Sequence, residues 1–476
     1  LPATLPIVAL LFSIVFPPAA PGAEPAALAG ASPWSPGIAG VGGPDPADLG
    51  SNNWVVSGEL SASGFPIMAN DPHRTQAAPS LRYWVHLVGP GWNVIGGGEP
   101  SLPGISIGHN EHGAWGLTVF ATDSEDLYVY ELHPDDPDLY RYRDGWERMT
   151  VIGDTIPVRD RDPAVVEHRY TRHGPVVYVD GEAGVAYALR AAWMEAGGAP
   201  YLASLRMDQA TTWEEFREAC TWSNIPGENM VWAGRDGTIG WQAVGIAPIR
   251  RSWSGLVPVP GDGRYEWDGY LPIQAKPHLV NPREGYFATA NNYLIPADYS
   301  FPEAVGYEWT DPYRWLRAVE VLGSGRLFNL MDMMQLQTDE LSIPARTLVP
   351  LLEEVRSERP RVEEARQRLL AWDFVLDKES IEAGIYVAWE DHLRDGLDEI
   401  MIPAEVLLIG QYELMFHLRL YDKVAGLLTA YVAGHLLLVI FIMRNVFASI
   451  SSDLVDAAMI DGAGTWRVFW ELMVPL

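Results

Sequence analysis

From residue 51 to about 315 the chain is written in short apolar alternations, such as "NWVVSG" and "YRYRDGWERMTVI", interrupted by Gly, Pro, Asp and Asn. A side-chain period of two puts one face of each run on a core and the other in solvent, so this stretch predicts strands joined by tight turns. Between about 326 and 395 the period changes. There "LVPLLEEVRS", "VEEARQRLLAWDFVL" and "IYVAWEDHLRDGL" space apolar residues three and four apart, as amphipathic helices do. Helices packed on sheet predict an α+β fold.

Both ends differ from this middle. Leu5 to Phe16 is an apolar run followed by "PPAAPGAEPAALAGA", which reads as the end of a secretory leader with a small-residue cleavage zone and is too short to cross a bilayer. Residues 17–50, rich in Pro, Gly and Ala, read as a spacer, so 1–50 is expected to be a leader and spacer remnant. Val424 to Met443 holds twenty residues without a formal charge, enough to span a bilayer, with His435 inside and Arg444 directly after. The positive-inside tendency puts the Arg444 end in the cytoplasm and the acidic domain on the outer side.

Composition removes several classes. A formal charge of −29 over 476 residues disfavours nucleic acid as a partner, because phosphate binding needs a basic face. The single cysteine, Cys220, forms no internal disulfide, and no Cys/His cluster has structural-zinc spacing. The 19 tryptophans point to large buried surfaces or an aromatic pocket.

The strand-like region begins abruptly with "GSNNW" at residue 50. A serine hydroxyl is a weak nucleophile until a base takes its proton. The usual settings are missing: there is no Gly-x-Ser-x-Gly, Ser-x-x-Lys or His-Glu-x-x-His anywhere. Cleavage just before a serine supplies another base, the residue's own α-amine, whose pKa of roughly 7.7 to 8.0 leaves a neutral fraction near pH 7. A glycine before the serine is expected to tolerate the backbone geometry that self-cleavage needs.

Several stretches then occur in order: "GSNNW" at 50, "PIMANDPHR" at 66, "PGISIGHNEHGAWGLT" at 103, "DLYVYEL" at 126, "VWAGRDGTIGWQAVGIAPIR" at 231, "VPVPGDGRYEWDGYLP" at 257 and "NPREGYFATANNYLIP" at 281. Across about 51–395 they make the chain resemble the penicillin acylases (penicillin amidases), which are N-terminal-nucleophile hydrolases. The resemblance implies an αββα sandwich of antiparallel sheets, incomplete here, and a β-chain that starts at Ser51. Its partner α-chain, which walls much of the acyl pocket, is expected to be missing, and the β-chain to be truncated near 395.

The resemblance also implies roles. Ser51 is the nucleophile, with its freed α-amine as base. The oxyanion donors are the side-chain amide of Asn291 and the backbone N–H of Val119. Asn292 is the neighbouring alternative, and an Asn-Asn pair is by default turn chemistry. His73 falls where the family places a residue beside the nucleophile, against the alternative of a plain loop histidine; Asn70 and Asp71 before it read as local turn bonding. Arg314 in "DPYRW" is either a pocket arginine orienting the oxyanion asparagine or an exposed helix-start arginine. Asp123, the carbonyl of Glu125 and Asp126 match the family's calcium stretch, with further oxygens implied from a backbone carbonyl near Gly255, from an acidic residue after the Asn-Asn loop, for which Asp298 departs in spacing, and from a partner chain; Ca2+ prefers six to eight such ligands. His109 and His112 in "GHNEH" read as structural rather than metal-binding.

The tail carries a second resemblance. "DAAMIDGAG" and "LMVP", with Asp456, Ala457, Ala458, Gly462 and Leu472 to Pro475, follow the 424–443 candidate span and resemble the coupling loop of an ABC carbohydrate-uptake permease. That implies a transmembrane fragment over 396–476 in the inner membrane and docking of 456–475 to an ATPase subunit. The two inheritances read as separate. The leading expectation is a periplasmic or secreted amidohydrolase that acts on penicillins, cephalosporins, N-acyl-homoserine lactones or related amides after cleavage at Gly50–Ser51. The alternatives are a transporter component and an inactive chimeric fragment.

Overall fold

The computed structural model describes residues 50–74, 78–100, 102–301 and 305–400, the last six without side chains. The leader and spacer, the candidate span at 424–443 and the permease-like 456–475 lie outside the described residues. Among the described residues no helix is long and apolar enough to cross a membrane.

In chain order the first strands are β1 (Gly50–Val56), β2 (Ile67–His73), β3 (Tyr83–Gly89), β4 (Trp92–Gly98), β5 (Ile107–His109) and β6 (Gly113–Val119). Next come β7 (Glu125–His133), β8 (Asp136–Tyr142), β9 (Gly145–Arg148), β10 (Thr150–Ile156), β11 (Ala164–Thr171), β12 (Gly174–Asp180) and β13 (Val185–Ala191). The last are β14 (Glu228–Gly234), β15 (Ile239–Ala243), β16 (Val259–Pro260), β17 (His278–Val280) and β18 (Tyr286–Thr289). The helices are α1 (Ser204–Met207), α2 (Trp213–Cys220), α3 (Tyr313–Leu322), α4 (Leu330–Gln337), α5 (Ile343–Leu348), α6 (Pro360–Leu370) and α7 (Ile381–Ile400).

The strands form three sheets. One has the order β18-β1-β2, a second β17-β15-β14-β6-β5-β4-β3, and a third is built on β10-β11-β12-β13-β7-β8-β9 with β16 beside β7. Every pairing is antiparallel except β16 on β7. The first two sheets lie face to face, β1 against β6 and β14, and between them Val55, Val231, Trp241, Phe287 and Phe120 form one buried cluster. The outer face of the larger sheet is covered by α2, whose Trp213, Phe216, Ala219 and Cys220 fall on one side at helical spacing. The outer face of the smaller sheet is covered by α3 and α4 through Ala318, Leu322, Met333 and Leu336. The order helix, sheet, sheet, helix follows. Burial pushes the Cys220 thiol far up, so it behaves as core rather than as a nucleophile.

Local signals fix the helix starts. Thr212 accepts the Glu215 N–H at the head of α2, and Asn329 with Asp332 forms a complete capping box at α4. The expected helix over 362–376 stops at Leu370, because Phe374 takes a left-handed φ of 66° and Val375 bridges to Leu341 as extended chain. "LVPLLEEVRS" forms a 3-10 helix over Val349–Glu354, with proline in its first turn.

The chain divides into two compact units, one of residues 27–347 with 374–376, the other of the remainder. In the second, α6 and α7 pack on each other; Trp372 lies 5.5 Å from the Tyr386 ring, and buried Arg366 bridges Glu363 and the Leu352 carbonyl. Helix α7 runs through position 395, near which the resemblance implies that the β-chain is truncated.

Candidate active site

Ser51 is 1% exposed and sits in the first turn of pleat of β1, between β18 and β2. Its N–H donates to Asn291 Oδ1 at 2.8 Å. Its Oγ accepts from Asn291 Nδ2 at 3.3 Å and from the Val119 N–H at 3.4 Å. Three segments far apart in sequence therefore meet on one hydroxyl. Asn291 holds a φ of 66°, a left-handed conformation that asparagine tolerates better than most side chains, and this turns its amide back toward β1. Asn292 instead accepts the Ala290 N–H through its own side chain, which is turn chemistry.

Arg314, at the start of α3, orients this pair. It donates to Asn291 Oδ1 at 3.1 Å, the Ala290 carbonyl at 2.8 Å, the Ser51 carbonyl at 3.2 Å and Asn52 Oδ1 at 2.6 Å. Burial pulls its pKa below the ordinary arginine value, yet four acceptors surround it. His73 is close but differently engaged: its Nε2 lies 3.3 Å from Asn52 Nδ2 and 3.3 Å from Asp71 Oδ2, and its main chain pairs with Gly50 in the ladder. Its Nε2 can thus donate to Asp71 or accept from Asn52, and neither partner is Ser51.

Gly50 has an extended φ, so its role is not an unusual backbone conformation. A Cβ there would lie 3.1 Å from Arg314 Nη2 and 3.2 Å from Asn291 Oδ1, so a side chain would press by a few tenths of an ångström on the two groups that hold Ser51. Asn70, read locally as turn chemistry, lies within β2 and bonds across the sheets. It donates to the Leu117 carbonyl at 2.9 Å and accepts the Leu117 N–H at 3.2 Å, tying β2 to β6 just before Val119. Behind Val119, Asn229 donates to Thr118 Oγ1, the Val119 carbonyl and Thr289 Oγ1, and accepts the Trp241 indole N–H. This buried network fixes the strand that carries Val119, and nothing in local sequence periodicity marks it.

Two buried titratable groups flank β6. Lys276 donates to Thr122 Oγ1 and to the carbonyls of Val244 and Gly245 at 2.8–3.0 Å, and burial brings its pKa down to about 7. Glu228, opposite Val119 on β14, accepts the Tyr201 hydroxyl while its Oε2 has no hydrogen-bond partner; burial pushes its pKa up to about 8, against the opposing pull of Arg74 and Arg82. The folded pKa lies above the ordinary carboxyl value of 4.5, so the folded state retains a proton that the unfolded state releases. That stability is fully present below about pH 4.5 and is lost as pH rises through about 8. Denaturant midpoints followed with pH are therefore expected to fall over this window by up to about 1.4 kcal/mol per pH unit, and Glu228→Gln to flatten the fall.

The expected calcium ligands are together but engaged. Arg250, with 1% of its side chain exposed, donates Nε to Asp126 Oδ2 at 2.8 Å and Nη2 to Asp123 Oδ1 at 3.1 Å and the Glu125 carbonyl at 3.0 Å. Gly255 closes the same spot: a Cβ there would meet Arg250 Cζ and Asp123 Oδ2 at 2.7 Å. Arg250 thus supplies the counter-charge among these oxygens in this structure. Among the described residues no group of three or more His, Cys, Asp or Glu side chains could hold a metal. His109 and His112 are exposed, and Asn110 between them accepts the His112 and Gly113 N–H groups, making "GHNEH" a structured turn.

A cavity of about 540 Å³ opens beside Ser51, lined by Gly50, Arg74, Val119, Asn291 and Trp309 among others. A buried hydroxyl held by two N–H donors, an asparagine oriented by a half-buried arginine and an adjoining cavity together make the candidate site on layered antiparallel sheets. The penicillin amidase family profile matches residues 9–445, and the chain belongs to that family. It is 33% identical to penicillin acylase 2 proenzyme of Pseudomonas sp. (strain SE83) over 368 residues, 75% of this chain and 47% of that protein. To acyl-homoserine lactone acylase QuiP of Pseudomonas aeruginosa it is 30% identical over 382 residues, 74% of this chain and 44% of that one. A thermostable penicillin G acylase from Alcaligenes faecalis superposes with a TM-score of 0.62 at 27% identity, covering 69% of this chain and 60% of that one. The chain thus spans about half the length of the curated relatives it matches. The matched span includes 396–445, and no comparison supports the permease resemblance of the tail.

Proposed function

We propose that this chain carries the catalytic serine of an amidohydrolase that cleaves linear amides through an acyl-Ser51 intermediate, after cleavage between Gly50 and Ser51. The observation that supports it most is the convergence of Asn291 Nδ2 and the Val119 N–H on Ser51 Oγ. When Oγ attacks an amide carbon, the carbonyl oxygen develops charge beside that oxygen, within reach of both donors. The freed α-amine of Ser51, held by Asn291 Oδ1, takes the hydroxyl proton through a water and returns it to the leaving amine. Arg314 keeps Asn291 Oδ1 facing the amine and so keeps Nδ2 facing the oxyanion. Substrates in this reading are small amides of the kind named in the relatives, penicillin side chains or N-acyl-homoserine lactones, in a periplasmic or extracellular setting.

The test is intact-mass measurement on the full chain together with hydrolysis of a chromogenic phenylacetyl amide and of an acyl-homoserine lactone. A new N-terminus at Ser51 that appears with turnover supports the reading; an uncut chain that turns over neither amide overturns it. Asn291→Leu is expected to lower kcat by about 10²–10³ with a smaller change in KM, because the donor acts on charge that develops only in the transition state. Steady-state kinetics on the cleaved protein check this.

A further inference from the structure

The bond that Ser51 must open has its carbonyl on Gly50, and that oxygen accepts Arg74 Nη1 at 2.9 Å. The same nitrogen donates to the His73 carbonyl at 2.7 Å. Strand register brings the guanidinium here: β1 and β2 pair Gly50 with His73, and Arg74 follows directly. Among the described residues Arg74 makes no ion pair; its field reaches the buried Glu228 carboxyl, while its hydrogen bonds go to the neutral carbonyls of Gly50 and His73. The two donors on Ser51 serve another atom. Val119 N–H and Asn291 Nδ2 reach Oγ, and Asn291 Oδ1 takes the Ser51 N–H.

We propose that Arg74 is a catalytic residue of self-cleavage, stabilising the negative charge that develops on the Gly50 oxygen; this rests on the reading that Ser51 opens its own preceding peptide bond. Ser51 Oγ loses its proton to a base and forms a bond to the Gly50 carbonyl carbon, and the carbonyl electron pair moves onto the oxygen bonded to Arg74. The pair returns, the bond from that carbon to Ser51 N breaks, and the nitrogen takes up the proton, leaving Gly50 as an ester on Oγ. Water then hydrolyses the ester to a Gly50 carboxylate and a free Ser51 hydroxyl and amine. No oxidant or further reactant enters. A guanidinium matches the charge that appears in this step and is absent before it, so its interaction strengthens in the transition state. Substrate hydrolysis relies on the other pair of donors, which gives the chain separate electrophiles for its own peptide bond and for the amides it later opens.

The experiment follows cleavage of the full chain by intact mass over time after cell-free synthesis, for wild type, Arg74→Lys and Arg74→Ala, the last with and without added methylguanidinium. Arg74→Ala is expected to cleave about 10²–10³ more slowly than wild type, to keep a cooperative melt and to be accelerated by methylguanidinium. Arg74→Lys, which keeps the charge and loses the fork, is expected to fall between the two. Cleavage of Arg74→Ala at the wild-type rate overturns the proposal. So does a folded, slow Arg74→Ala that methylguanidinium does not accelerate, since a merely structural loss is not restored by a free cation. Should Arg74→Ala fail to melt cooperatively, Arg74→Lys decides: a folded Arg74→Lys that cleaves no faster than Ser51→Ala sinks the idea, and intermediate cleavage upholds it. A wild-type chain that never cleaves removes the self-cleaving reading itself, an outcome separate from any behaviour of the variants.

Discussion

In Ser51→Ala amide hydrolysis is expected to fall by about 10⁶ and the Gly50–Ser51 bond to stay intact, because in the proposed mechanism one oxygen serves as nucleophile in both reactions. The residual rate has a physical floor. Asn291 Nδ2 and the Val119 N–H stay in place when the hydroxyl is removed, and an oxyanion hole with a bound substrate still favours attack by water. No neighbouring hydroxyl can take over, since Thr118 and Thr289 are fully buried and bonded to each other and to Asn229. The fold is expected to change little. Ser51 Oγ is only an acceptor for two groups, and of these Asn291 Nδ2 also donates to the Val119 carbonyl at 3.0 Å. Leaving the Val119 N–H without its partner costs about 1–3 kcal/mol at most. Intact mass, amide turnover and a thermal melt on the same preparation separate loss of chemistry from loss of structure; substantial turnover by a folded Ser51→Ala chain removes Ser51 as the nucleophile.

Much of the site was readable from motif order. Ser51, Val119, Asn291 and Arg314 meet as the resemblance implies, although 240 positions separate the first from the third. The apolar runs of β1 and β6 are local information, and so are the caps at Thr212 and Asn329, but both strands are buried on both faces rather than alternating between core and solvent. What escapes a linear reading is the side chain whose partner lies across a sheet. Asn70 looks like a turn residue by type, yet strand register aims its amide at Leu117. Gly50 suggests backbone freedom, while its actual constraint is the crowding of Arg314 and Asn291 around it. Arg74 and Arg250 carry no periodic signal, and a cation beside a peptide carbonyl or between two carboxylates becomes visible only when the strands are paired. The third sheet was expected only as strands, because short antiparallel runs do not encode which sheet they join.

Arg250→Met is expected to destabilise the unit that holds the active site by about 3–5 kcal/mol, the cost of leaving a buried charge without its counter-ion. Asp126 has no exposed side-chain surface and keeps two indole donors, Trp253 at 3.2 Å and Trp267 at 2.5 Å, but these are neutral dipoles and cannot replace a guanidinium. Asp123 already has a pKa raised by burial, which Arg250 opposes, so removing the arginine drives that carboxyl further toward its neutral form. The sign of the pH dependence follows. In Arg250→Met the loss is expected to be largest at neutral and alkaline pH, where Asp123 is ionised, and to shrink on acidification as Asp123 takes up a proton. Adding Asp126→Asn to Arg250→Met is expected to recover most of the loss, because the orphaned charge is gone while the two indoles keep an acceptor. The wild-type melt, with the guanidinium in the place where calcium was expected, is expected to be the same in chelator as in millimolar calcium. Urea unfolding of the three proteins across pH checks all of this, and a wild-type midpoint that drops on chelation would show that a metal, not Arg250, balances Asp123 and Asp126.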